Sequence, residues 1–148
     1  MSVAIDQALI NALRSAALGV DIVLENGVYC TWNGASYDDV VGAYTVDPGT
    51  PYMEATVIPA SVGAVTLAHT DEHLGVFQIV VNYPADSGSY DAKQTAEAVL
   101  ALFAVGVPVA YSGQNVYPVA KGRTGGRMEG GFYQIVVRVN YRAFTNRS

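Results

Sequence analysis

The chain has 148 residues, of which 51% are apolar and only 14% charged, with a net charge of −5 and one cysteine. That length suits one domain that buries a core without metals or disulfides, the single Cys30 excludes an intrachain disulfide, and the acidic balance argues against a free nucleic-acid binder. No apolar run approaches the ~20 residues of a membrane span, and the first residues, Met1 to Asp6, lack the basic stretch and apolar core of a signal peptide.

Residues 2–18 read as a helix, because Ile5, Leu9, Ala12, Leu13 and Ala16 recur at spacings of three and four. Ser2 can cap it, Asp6 suits its positive end and Gly19 can terminate it. Val20 to Glu25 alternates as a strand, Asn26-Gly27 is a turn signal, and Val28 to Trp32 can return as the hairpin partner. Residues 33–51 read as a long loop, punctuated by Asn33-Gly34, Asp38-Asp39, Gly42 and Asp47-Pro48-Gly49. Loops of that length are usually functional or disordered. Three alternating stretches follow, at 52–59, 62–69 and 74–83, and Pro84 to Gly88 makes a break. Ser89 to Val105 reads as a second helix, with Ala92, Ala96, Val99, Leu100 and Phe103 on one stripe and Gly106-Val107-Pro108 as the stop. Strands are expected within 109–111 and 115–120. Lys121 to Gly131 is too rich in glycine to fold alone and reads as a loop that orders on a partner or as a plain hairpin loop.

Phe132 to Phe144 forms the last strand, with Tyr133, Ile135, Val137, Val139 and Tyr141 on one face. Its segment Tyr133-Gln134-Ile135-Val136-Val137 echoes Phe77-Gln78-Ile79-Val80-Val81, so both are expected to be central strands presenting that face to the helices. The reading is α+β: a mixed, mainly antiparallel sheet with two principal helices on one face and long projecting loops.

Charge is segregated along the chain. Residues 1–97 hold twelve of the thirteen acidic residues and only Arg14 and Lys93 of the eight basic ones; Glu129 is the one acid among residues 98–148. In three dimensions this either averages out or leaves two unlike surfaces that steer association. The low charge and ten tyrosines have two explanations as well. Either hydroxyls keep a small domain soluble, or much of the surface faces other subunits.

Catalytic constellations are not apparent. His69 and His73 flank Thr70-Asp71-Glu72 between strand-like segments, which favours a polar turn over a metal pair. Cys30 has no cation near it in sequence and reads as a buried thiol. Lys121-Gly122-Arg123-Thr124-Gly125-Gly126-Arg127 leads into a strand, whereas a phosphate loop needs Gly-Lys-Ser/Thr leading into a helix.

The order of Trp32-Asn33-Gly34, Pro51-Tyr52-Met53-Glu54, Gly75 to Pro84, Gly88, the helix from Ala92 to Phe103, and Phe132 to Val139 resembles the tail terminator (tail completion) proteins of long-tailed phages and prophages over nearly the whole chain. The resemblance implies a virion protein assembled in the host cytoplasm, at the head-proximal end of the tail. It implies a hexameric ring of this chain that caps the tail tube and joins it to the head-tail connector, with DNA only in transit through the lumen. It implies no enzyme activity, cofactor or metal. Contacts are expected from Tyr37, Asp38, Asp39 and Tyr44 in the first loop and from Lys121, Arg123, Arg127 and Met128 in the second. The alternatives are a head-completion, neck or tail-tube protein, a small ligand-binding domain, or a hydrolase.

Overall fold

Helix α1 spans Val3–Ser15 because Ile5, Ala8, Leu9 and Leu13 place one apolar stripe against the sheet. It stops short of Leu18. The Ser15 hydroxyl donates to the Ala12 carbonyl (2.6 Å), which competes with the helical ladder in the last turn. The computed structural model describes residues 3–16, 18–25, 27–64, 70–87 and 89–146. The Ser2 cap, Asn26 of the first turn, residues 65–69 of the strand expected over 62–69, His69 among them, and Gly88 lie outside those residues.

Strand β1 (Asp21–Val23) and β2 (Val28–Trp32) pair antiparallel, as the turn signal predicts. Residues 33–51 are not one loop. Asn33 accepts the backbone N–H groups of Ala35 and Ser36, both at 2.9 Å, and turns the chain into β3 (Tyr37–Val41), which pairs antiparallel with β2. Adjacent Asp38 and Asp39 hide this strand from propensity reasoning. They are tolerated because β3 is an edge strand, where charge discourages stray pairing. Residues 42–51 carry no strand.

The stretches expected at 52–59 and 62–69 begin as one strand, β4 (Tyr52–Ala64), with a bulge between Pro59 and Ser61. Proline has no N–H for the ladder, and the bulge absorbs that loss. Strand β5 (Thr70–Pro84) starts earlier than the alternation suggests, so Thr70 to His73 are strand residues and not a polar turn. His73 Nε2 pairs with the Thr145 hydroxyl at 2.8 Å. A short 3-10 turn, Ala85–Ser87, precedes α2 (Ser89–Ala101). Helix α2 ends before Val105 because its last turn tightens. Leu102 and Phe103 N–H groups donate to carbonyls three residues back, and Lys121 Nζ donates to the Leu100 carbonyl at 2.7 Å.

Strands β6 (Val109–Tyr111) and β7 (Gln114–Arg123) are joined by Ser112 and Gly113, both left-handed (φ 52° and 83°), the paired geometry of a tight hairpin. The glycine-rich segment 121–131 is likewise more regular than expected. It contains the end of β7, then β8 (Arg127–Glu129), then a Gly130-Gly131 turn into β9 (Phe132–Asn146). Long-range pairing with β9 overrides the weak local propensity of these residues.

The sheet order is β3-β2-β1-β4-β5-β9-β7-β6, with β8 also on β9 and β1–β4 the parallel pair. The two echoing segments lie side by side on β5 and β9, with Ile79 opposite Val137 and Val81 opposite Ile135. On their inward faces Phe77, Ile79, Val81, Ile135 and Val137 are fully buried under the helices while Tyr133 is partly buried, and Phe77 meets Phe103 edge to face at 5.7 Å. The fold is α+β with strands dominant. Helix α1 lies against β6 and β7, yet its Arg14 reaches β3, donating to the Tyr37 carbonyl (3.2 Å) and pairing with Asp39 (3.1 Å).

Candidate interaction surfaces

The eight candidate contact residues fall on two flanks of one sheet. Tyr37, Asp38 and Asp39 belong to β3 at one end of the strand order, and Tyr44 follows it. Lys121, Arg123, Arg127 and Met128 belong to β7 and β8, beyond β9. Charge segregation therefore survives folding in part. The strand order keeps Asp21, Glu25, Asp38, Asp39 and Glu54 on one flank and Lys121, Arg123 and Arg127 on the other. It is blunted near the divide, where Arg142 of β9 pairs with Glu72 of β5 at 2.9 Å, and within the basic flank, where Glu97 and Glu129 lie beside Arg123 and Arg127.

Within each flank the residues differ. Tyr37 is a core residue: its hydroxyl donates to the Val20 carbonyl (2.6 Å) and its ring meets Trp32 edge to face. Asp38 is exposed and accepts from Asn33 Nδ2 at 3.1 Å. Asp39 accepts from the Cys30 thiol as well as pairing with Arg14. Burial, with that hydrogen bond, pushes the Cys30 thiol up to about 11, so it is protonated at neutral pH. Tyr44 anchors the 42–51 loop. Its ring packs between Tyr29 and Tyr52, and its hydroxyl donates to Asp21 at 2.9 Å. Tyr52 continues this row of rings to Phe132.

On the other flank Lys121 is committed to the end of α2, and Arg123 pairs with Glu97 at 3.1 Å. Arg127 and Met128 are freer. Among the described residues Arg127 pairs only with Glu129, at 3.5 Å with both side chains well exposed, and Met128 is 58% exposed. Exposed pairs of that kind contribute little.

Two features were not legible in the sequence. The first is an apolar surface patch that joins Val105, Val119 and Phe144 around Gly106 and Pro118. The second is a groove of about 400 Å³ between α1 and the β1–β2–β4 corner, lined by Val3, Ile10, Leu24, Val28 and Val57 with Asp6, Arg14, Glu25 and Asp39 at its charged positions. Asp6 Oδ1 is buried without a hydrogen-bond partner among the described residues. Burial, with the charge of Glu25, raises its pKa. Helix periodicity marks Asp6 as a first-turn acid but cannot reveal a partner lost through folding.

Asp6 makes stability pH-dependent in a predictable direction. Its folded pKa lies above the unfolded value of about 4. The folded state therefore holds the proton more tightly, and stability falls as pH rises from the unfolded value through the folded one. Asp6→Asn should raise Tm at pH 7, and the advantage should vanish below about pH 4. The helix dipole opposes this by about 0.3–1 kcal/mol, less than a buried carboxylate oxygen without a donor costs. Calorimetry of both proteins across that range checks it.

Among the described residues, no group of three or more His, Cys, Asp or Glu side chains is placed to hold a metal ion, and no helix is long and apolar enough to cross a membrane. Comparison with known proteins adds three findings. A solved structure with 21% sequence identity superposes with a TM-score of 0.62, covering 93% of this chain and 94% of its own, which shows a shared fold. No curated protein matches the sequence. A family model described as phage tail terminator protein matches residues 4–141.

Proposed function

Because the chain belongs to the phage tail terminator family, a component of the phage tail, we propose that it closes into a ring, six subunits by the family resemblance, on the finished tail tube. The ring stops tube growth and offers the surface that the head-tail connector binds, at the head-proximal end of the tail. Its partners are other copies of this chain, the tail tube protein and the connector, and DNA crosses the lumen without being read. Assembly takes place in the host cytoplasm, and the whole chain acts as one unit.

The mechanism is binding and occlusion. A tube grows because each added ring presents the same surface as the last. Growth ends when a ring binds that surface without recreating it. Such a ring needs unlike surfaces, and its repeated contact is heterologous, one patch against a different one on the next copy. The observation that carries this reading, given the family, is the placement of an acidic flank around β1–β3 and a basic flank at β7–β8 on opposite sides of one sheet. No bond is made or broken.

The test is electron microscopy of purified protein mixed with preassembled tail tubes. The expected result is a ring at one tube end and no further growth when tube protein is added. Tubes that keep growing with bare ends would refute termination. Binding to heads in place of tubes would move the chain to the neck.

A further inference from the structure

We infer that the groove between α1 and the β1–β2–β4 corner receives the exposed Arg127-Met128 of a neighbouring copy of this chain. The inference rests on the ring reading and assigns its subunit contact.

Three observations carry it. The groove combines apolar walls with an acidic set: Val3, Ile10, Leu24, Val28 and Val57 line it beside Asp6, Glu25 and Asp39. Val3 at its rim is 65% exposed, so the apolar surface is open to an occupant. Asp6 contributes a carboxylate oxygen that is buried and has no donor among the described residues, although the large majority of buried side-chain polar atoms in folded proteins have a partner. A guanidinium supplies donors in a fork that suits a carboxylate. Arg14, the cation already in the groove lining, is taken by Asp39 and the Tyr37 carbonyl.

Strand β8 presents the complementary chemistry. Arg127 is a cation whose pairing within the chain is exposed and weak, and Met128 beside it is an adaptable apolar side chain left in solvent. Neither side chain is needed where it stands. The Gly130-Gly131 turn behind them holds β8 on β9, so the pair is presented from a strand. Four strand spacings separate β1 from β8, roughly 19 Å along the sheet. Within one chain neither Arg127 nor Met128 lines the groove, so the contact runs between copies, head to tail, the form that closes a ring. The apolar patch at Val105 and Phe144 offers no such match, because nothing in the structure complements it.

Two measurements test the contact, each beside the wild-type protein on tail tubes. Met128→Asp should raise the protein concentration needed for half-maximal ring formation at least tenfold, while Tm stays unchanged because the side chain is exposed. Gln7→Cys combined with Met128→Cys, treated with a short bis-maleimide, should give a covalent ladder ending at the closed ring. Each single variant should give only monomer, since Cys30 is buried. An unchanged midpoint for Met128→Asp, or rings of the double variant without a ladder, would overturn the contact and leave the ring standing. A double variant too weak to assemble is judged by the Met128→Asp midpoint alone. If the wild-type protein forms no ring on tubes, the functional reading fails and this contact fails with it.

Discussion

Phage lacking this chain should accumulate filled heads without tails and tails of abnormal length, and infectious yield should collapse. The expectation follows from the geometry of tube growth. Stacked rings of one protein leave a surface that accepts the next ring, so nothing within the tube protein itself sets a final state. A cap must bind that surface and present a different one. In a chain with an acidic flank on β1–β3 and a basic flank on β7–β8, the two chemistries needed are built into one sheet. Adding the purified protein to extracts that hold tubes of completed length should restore joining to heads, because the proposed step is binding and would require no turnover. Electron micrographs and plaque counts read both outcomes. Uniform tails already attached to heads in the absence of the chain would remove the terminator assignment and favour a neck role or a dispensable binding module.

Phe77→Ala should lower folding stability by about 3–5 kcal/mol, the range for deleting a fully buried aromatic ring. Phe77 lies on central strand β5 and has no solvent exposure. Its ring meets that of Phe103, the residue that pins the chain just after α2. Removing it deletes apolar burial and leaves a cavity between sheet and helix that neighbouring strands cannot close, because β4 and β9 hold β5 on both sides. Domains of this size have total stabilities of about 5–15 kcal/mol, so the loss is a large fraction. The corresponding fall in Tm is roughly 6–20 °C. Phe144→Ala, on the partly exposed outer surface, should cost far less, and chemical denaturation of the two variants measures the contrast. Equal losses would mean that the β5–α2 contact does not dominate the core.

Local pattern alone was sufficient for several elements. The stripe of Ile5, Leu9 and Leu13 marks α1, and Ala92, Ala96 and Val99 mark α2, since a helix buries one face at its own period. The alternation of β9 names its buried face correctly from Ile135 to Tyr141, and the likeness between 77–81 and 133–137 marks two strands that prove to be central neighbours. The family resemblance was legible in the order of such segments, and the family match agrees with it. What the sequence could not determine lies where long-range pairing or burial overrides local preference. Asp38-Asp39 and Arg127-Met128-Glu129 read as loop because neither stretch favours a strand alone, yet β2 and β9 supply ladders for β3 and β8. The candidate surfaces follow the same division. Charge composition left open whether the segregation averages out on folding, and the strand order decides that it survives in part. Tyr37 turned inward because the Val20 carbonyl and the Trp32 ring lie beside it, and Asp6 lost its partner because α1 folded its carboxylate against the sheet. Periodicity reports which face of an element is apolar. Only the packed structure decides what that face meets, and therefore which polar groups are satisfied and which remain open to another chain.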